Sequence, residues 1–256
     1  MIVEFVGMMG AGKTTLYRET LQRLNGRGMT AWTPQMLTEL CGSSGLAYHR
    51  RFWFRLQSAW RSRGLAVLAL RHLSRSERSW EDKFTGLRWF LSSLGNQWTA
   101  REALTPDQIM LIDEGLGQRL FNIFVHDAGE VDLAAVRQYA RAQPLPDVLV
   151  YLTVNPEVAL ERALTRSRKL PPRFKSLDRT QLSALFANTA KVFDVFVDEL
   201  RATASLPIDI LVIHSTDLTA NMRELGEHLD AILSSAPERP LVPRILGAYG
   251  PSTISR

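Results

Sequence analysis

Eight residues near the N-terminus constrain this chain more than any others: Gly7-Met8-Met9-Gly10-Ala11-Gly12-Lys13-Thr14. Glycine, four residues, then Gly-Lys-Thr is the spacing of a loop that wraps a phosphate group. Glycines let the backbone curl until successive N–H groups face one anion. A helix starting straight afterwards adds the positive end of its dipole. Lys13 is then placed to reach the outer phosphates of a nucleotide, and Thr14 to offer its hydroxyl to Mg²⁺. The flanks fit: Ile2 to Val6 reads as a short strand interrupted by Glu4, and Lys13 to about Asn25 carries Leu16, Leu21 and Leu24 for one helical face. Gly7, Gly10, Ala11, Gly12, Lys13, Thr14 and Thr15 are the expected nucleotide-binding residues.

The remaining pattern alternates strands with helices. Met29 to Thr33 reads as a second strand stopped by Pro34, and Leu40 to Asn96 as helical with a break near Gly64. Trp80 to Leu94 reads as one of its helices, and Ile109 to Ile112 as a strand. Asp132 reads as the cap of a helix to Ala142, Asp147 to Thr153 as a strand, and Pro156 to Arg168 as a helix capped by Asn155. Leu182 to Leu200 is helical, Ile208 to Ile213 is the last strand, and a helix follows from about Leu218 to Leu233. Five strands so separated imply an α/β fold with a parallel sheet sandwiched by helices. A single domain over 1–256 is expected, with a helical acceptor-binding insertion at about 40–100 and an irregular tail at 237–256.

An acidic pair ends the third strand. In a phosphate-loop protein a carboxylate at a neighbouring strand's end holds the metal, directly or through water. Asp113 is the metal candidate, and Glu114 the candidate for general base. The division of roles between the two stays open, and so does the plainer reading that they cap the segment after Gly115. Arg119 follows five residues after Glu114 and is a candidate for binding a substrate anion.

Charge is unevenly spread. The net +5 resolves into +7 between Leu46 and Trp80, +6 between Arg162 and Lys175, and −8 elsewhere. Such fields imply an anionic partner. In the second, Arg162, Arg166 and Lys169 lie at helical spacing, and Arg168 stands beside them. Arginines closing over a phosphoryl group in flight would neutralise its charge and exclude water. A lid over about 162–176 is therefore expected, with Arg162 and Arg166 catalytic and Arg168 on the nucleotide. The alternative is a solvated basic helix end.

Together, the Gly7–Thr14 Walker A segment, the strand ending Asp113-Glu114, and the stretch from Val150 to Lys169 resemble the nucleoside and nucleotide kinase branch of the P-loop kinases, which includes thymidylate and deoxynucleoside kinases. The resemblance implies a five-stranded parallel sheet of order 2-3-1-4-5, an arginine-bearing lid, and transfer of the γ-phosphoryl group of ATP, with Mg²⁺, to a small acceptor. It implies phosphate and magnesium roles for Lys13 and Thr14, lid roles for Arg162, Arg166 and Arg168, and for Arg119 the place of the arginine after the strand-three acids. At that strand the chain carries Asp113-Glu114-Gly115, where thymidylate kinases carry Asp-Arg-Tyr and deoxynucleoside kinases Glu-Arg-Ser.

In the insertion, Tyr48 to Arg55 interleaves aromatics with arginines, and Trp60, Trp80, Trp89 and Phe90 continue the pattern. Arg50 and Arg51 are candidates for an anionic or aromatic acceptor. A stacking platform for nucleic acid is a second functional reading, and for any single aromatic the plain core of an amphipathic bundle is the favoured one. The expected activity is an ATP-dependent small-molecule kinase. The alternatives are a nucleotide hydrolase coupled to nucleic acid or a protein partner, and a non-catalytic nucleotide-binding scaffold. A homodimer is an admissible assembly. One cysteine, Cys41, excludes a disulfide framework and a thiolate metal cluster, and a reducing cytoplasm is the expected compartment. No apolar run approaches the ~20 residues that span a membrane.

Overall fold

The computed structural model describes residues 1–29, 31–40, 47–105, 108–126, 129–165, 174–203, 208–214 and 217–235, without some side chains of its second, third and last helices. Their elements run β1 (Ile2–Val6), α1 (Lys13–Gly26), β2 (Ala31–Trp32), α2 (Pro34–Leu40), α3 (Ala47–Arg61), α4 (Arg63–Arg75), α5 (Trp80–Ala103), β3 (Ile109–Ile112), α6 (Leu116–Phe124), α7 (Leu133–Ala142), β4 (Val148–Thr153), α8 (Pro156–Thr165), α9 (Arg179–Ala202), β5 (Asp209–His214) and α10 (Leu218–Ser235). The tail at 237–256 and most of the expected lid, including Arg166 and Arg168, lie outside the described residues.

The five strands form one parallel sheet in the order β2-β3-β1-β4-β5, as the sequence led us to expect. In register, Glu4 of β1 lies beside Ile112 of β3 and Leu149 of β4. β1 and β3 are buried throughout, as central strands covered on both faces must be. α1 and α10 pack together in one layer, while α4, α5, α6, α7 and α9 pack among themselves in another. Phe5 meets Tyr17 of α1 edge-on at 5.9 Å. One residue before it in the strand, on the other face of the pleat, the Glu4 side chain reaches α6 in the opposite layer.

Several boundaries differ from those expected. Among the described residues the second strand is Ala31–Trp32. α5 runs on past Leu94 to Ala103, because Gly95 is packed under Arg55 of α3 and no proline intervenes before Pro106. The α3–α4 break falls at Ser62, two residues from Gly64, and the Ser62 hydroxyl accepts the Trp98 indole N–H at 3.2 Å. α9 starts at Arg179, three residues before the expected Leu182. There Asp178 and Gln181 form a capping box that satisfies two backbone N–H groups. Asn155 caps α8 as expected, accepting the Glu157 N–H at 2.9 Å. Among the described residues no helix is long and apolar enough to cross a membrane.

Candidate nucleotide site

The connection leaving β1 runs to β2 on one side, and the one leaving β3 runs past β1 to β4 on the other. A sheet that reverses in this way opens a crevice at the carboxyl ends of the diverging strands. The 7–12 loop and the Asp113-Glu114 turn follow those two ends.

In the loop, Gly7, Gly10 and Gly12 have φ of 145°, 86° and 91°. Side chains at two of them would also collide with backbone. A Cβ at Gly7 would lie 2.5 Å from the Leu152 carbonyl oxygen, and one at Gly10 2.3 Å from that of Ala159. The loop is therefore pressed against β4 and α8. Gly12 sits at the N-cap of α1, which has no acidic residue in its first turn. No carboxylate of that turn competes with an incoming anion for the helix's positive end. Lys13 donates from Nζ to the carbonyls of Gly7 at 2.6 Å and Met8 at 3.1 Å, folded over the loop it belongs to. Thr14 and Thr15 are exposed at the start of α1.

The acidic turn lies close by. Burial, then the neighbouring Glu114, pushes the Asp113 carboxyl above the usual range, while Lys13 and Arg119 pull it down. Tyr17 is pushed up to about 12, by burial and by the Asp113 charge. Asp113 is thus within electrostatic reach of Lys13 and α1. Glu114 points its exposed side chain outward and pairs with Arg119 Nη2 at 3.4 Å. Arg119 Nη2 also donates to the Glu114 carbonyl at 3.0 Å, and its Nε to Ser93 Oγ at 3.0 Å. The Arg119 guanidinium lies 5.6 Å from the ring centre of Trp89. The expected substrate arginine therefore reaches the crevice edge with donors already engaged by the chain. Neither acid caps α6.

A residue the sequence reading passed over takes that place. Glu4, fully buried in β1, accepts the N–H of Gly117 at 2.7 Å and of Gln118 at 3.4 Å, both on its Oε1. Gly115 and Gly117 leave the room: a Cβ at Gly115 would lie 2.5 Å from the Glu4 carboxylate. Gln118 in turn accepts the Gly7 N–H on Oε1 at 3.2 Å. The sequence signal was present, as an acid inside an apolar strand and two glycines flanking Leu116.

Arg162 is exposed on α8, one turn after the Ala159 contact with the loop. Arg50 and Arg51 fall in α3, where their side chains lie outside the described residues. Trp53, Trp60, Trp80 and Phe84 are exposed, whereas Phe90 is fully buried. Their pattern is therefore only partly that of a core.

The donor set suits Mg²⁺ brought in with a nucleotide. Magnesium takes oxygen ligands, typically one or two from protein and the rest from phosphate and water. Thr14 and Asp113 supply such oxygens, and a cation beside Asp113 would relieve the burial that raises its carboxyl. Among the described residues no three His, Cys, Asp or Glu side chains gather into a self-sufficient metal cage.

No family model matches the chain, and no curated protein matches it. Among solved structures it is similar to deoxyadenosine kinase from M. mycoides with products dCMP and a flexible dCDP bound. That match has 14% identity and a TM-score of 0.49 over 91% of this chain and 100% of that one. It is also similar to deoxyadenosine kinase from M. mycoides with bound dATP, at 13% identity and a TM-score of 0.48 over 90% of this chain and 100% of that one.

Proposed function

We infer that the chain is an ATP-dependent small-molecule kinase, moving the γ-phosphoryl group to a hydroxyl or phosphate of a nucleoside, nucleotide or other small metabolite. One observation carries this reading: a glycine loop opening onto an uncapped helix, with Lys13 over it and Asp113 within electrostatic reach. On this reading the loop N–H groups cradle the phosphates, and Lys13 leaves its two carbonyls for the β and γ oxygens. Bound at Thr14 and Asp113, Mg²⁺ would neutralise charge on those same oxygens. Glu114, exposed at the mouth and oriented by Arg119, is placed to take the proton of an acceptor hydroxyl. Arg162, with Arg166 and Arg168 beyond it, supplies positive charge to the transferring group. Trp89, exposed and beside Arg119, offers a ring to an aromatic acceptor, and Arg50 and Arg51 supply charge for an anionic one.

The test is a transfer screen with γ-labelled ATP and Mg²⁺ against nucleosides, nucleoside monophosphates, sugars and aminoglycoside-like amines, with Lys13→Ala as control. Label should appear in one acceptor class and vanish in the control. Label released only as inorganic phosphate, faster with nucleic acid or a protein partner, would support the hydrolase reading instead. The exposed Trp53, Trp60, Trp80 and Phe84, in and beside a segment of net +7, are the observation that favours that second reading.

A further inference from the structure

Three consecutive residues at the start of α6 each hold a different part of the candidate site. Gly117 gives its N–H to Glu4 of β1. Gln118 gives its N–H to the same carboxylate oxygen, and its side chain accepts the N–H of Gly7, the first residue of the phosphate loop. Arg119 grips the Glu114 carbonyl and carboxylate. One helical turn therefore ties the loop after β1 to the turn after β3.

We propose that Gln118, held in place by Glu4, is a positioning residue that fixes the phosphate loop in register with the Asp113-Glu114 turn. Buried Met8 and Ala11 anchor the loop in the core, and Gln118 adds a directional bond from the helix that also carries Arg119. The loop's glycines bring no side chains, and the backbones of Leu152 and Ala159 press on it from the β4 and α8 side. Gln118 holds it from the α6 side. It is buried, and so is the Gly7 N–H that it accepts. Such a bond is directional and costly to leave unmade. The spacing that it sets is the one Mg²⁺ would sense, because Thr14 belongs to the loop unit and Asp113 to the turn.

The proposal rests on the nucleotide reading above, and its test separates the two. ATP binding is measured by calorimetry with Mg²⁺ and with EDTA, for the full chain and for Gln118→Met. In the unsubstituted chain Mg²⁺ should tighten binding tenfold or more. In Gln118→Met the affinity in EDTA should stay within threefold, while the tightening by Mg²⁺ falls at least fivefold. The double variant Glu4→Gln/Gln118→Glu keeps an acceptor for both Gly117 and Gly7, and should restore the tightening to within threefold. It also decides the matter if Gln118→Met does not fold. Undiminished tightening in folded Gln118→Met, or tightening lost in the folded double variant, overturns the proposal and leaves the nucleotide reading standing. Absence of saturable ATP binding in the unsubstituted chain overturns both.

Discussion

Glu4 offers a sharp test of how this core is built. Its carboxyl is fully buried, and burial pushes it from the usual 4.5 up to about 7 against the pull of two backbone N–H groups and Arg119. Among the described residues its Oε2 has no hydrogen-bond partner. Below pH 4.5 the group is protonated folded and unfolded, and titration costs nothing. Between pH 4.5 and 7 the unfolded chain ionises while the folded chain keeps its proton. Stability therefore falls with rising pH, by about 1.4 kcal/mol per pH unit, and levels off above 7. The accumulated loss at pH 8 is about 3 kcal/mol, a large part of the 5–15 kcal/mol typical of a whole domain. Glu4→Gln keeps the shape and the Oε1 acceptor but cannot ionise. Urea unfolding of both proteins from pH 4 to pH 8 isolates the effect, because all other titrating groups are shared. The variant should match the parent within about 1 kcal/mol near pH 4 and exceed it by about 3 kcal/mol at pH 8. Parallel stability profiles, with a constant difference at every pH, would refute the reasoning.

Lys13→Ala should keep the fold and reduce phosphoryl transfer by a factor on the order of 1,000, read as turnover beside an unchanged circular dichroism spectrum. Gly10→Ala places a methyl against the Ala159 carbonyl at a φ of 86°. It should lower stability by about 2 kcal/mol in urea unfolding and abolish ATP binding in calorimetry. Asp178→Ala removes the capping box of α9 and should cost about 1 kcal/mol without changing nucleotide affinity, measured by urea unfolding and calorimetry.

Local chemistry with few solutions was legible in the sequence. The loop from Gly7 to Thr14 announced its own conformation, since only glycine spacing of that kind allows three left-handed positions within six residues. Apolar runs at 109–112 and 148–153 gave buried strands, and Asp132 and Asn155 marked helix starts through backbone hydrogen bonds that are themselves local. Glu4 and Gln118 were missed for the opposite reason. Their partners lie 113 and 111 residues away, so no window along the chain contains the interaction. Arg119 was legible as a residue of the site, but two of the contacts that engage it come from α5, where Ser93 and Trp89 gave no signal of facing α6. Trp53, Trp60 and Trp80 looked like core by residue type, yet stand exposed, because helical spacing reports a face without saying what covers it.

On its β4 and α8 side the glycine loop faces main-chain oxygens of Leu152 and Ala159. Carbonyls cannot adopt another rotamer or be trimmed by mutation, so that side of the mould is made of parts that substitution leaves unaltered. Transplanting the eight residues into a foreign scaffold would carry the motif without its walls. A working graft would have to bring the end of β4 and the first turns of α8 as well, together with the start of α6 that carries Gln118.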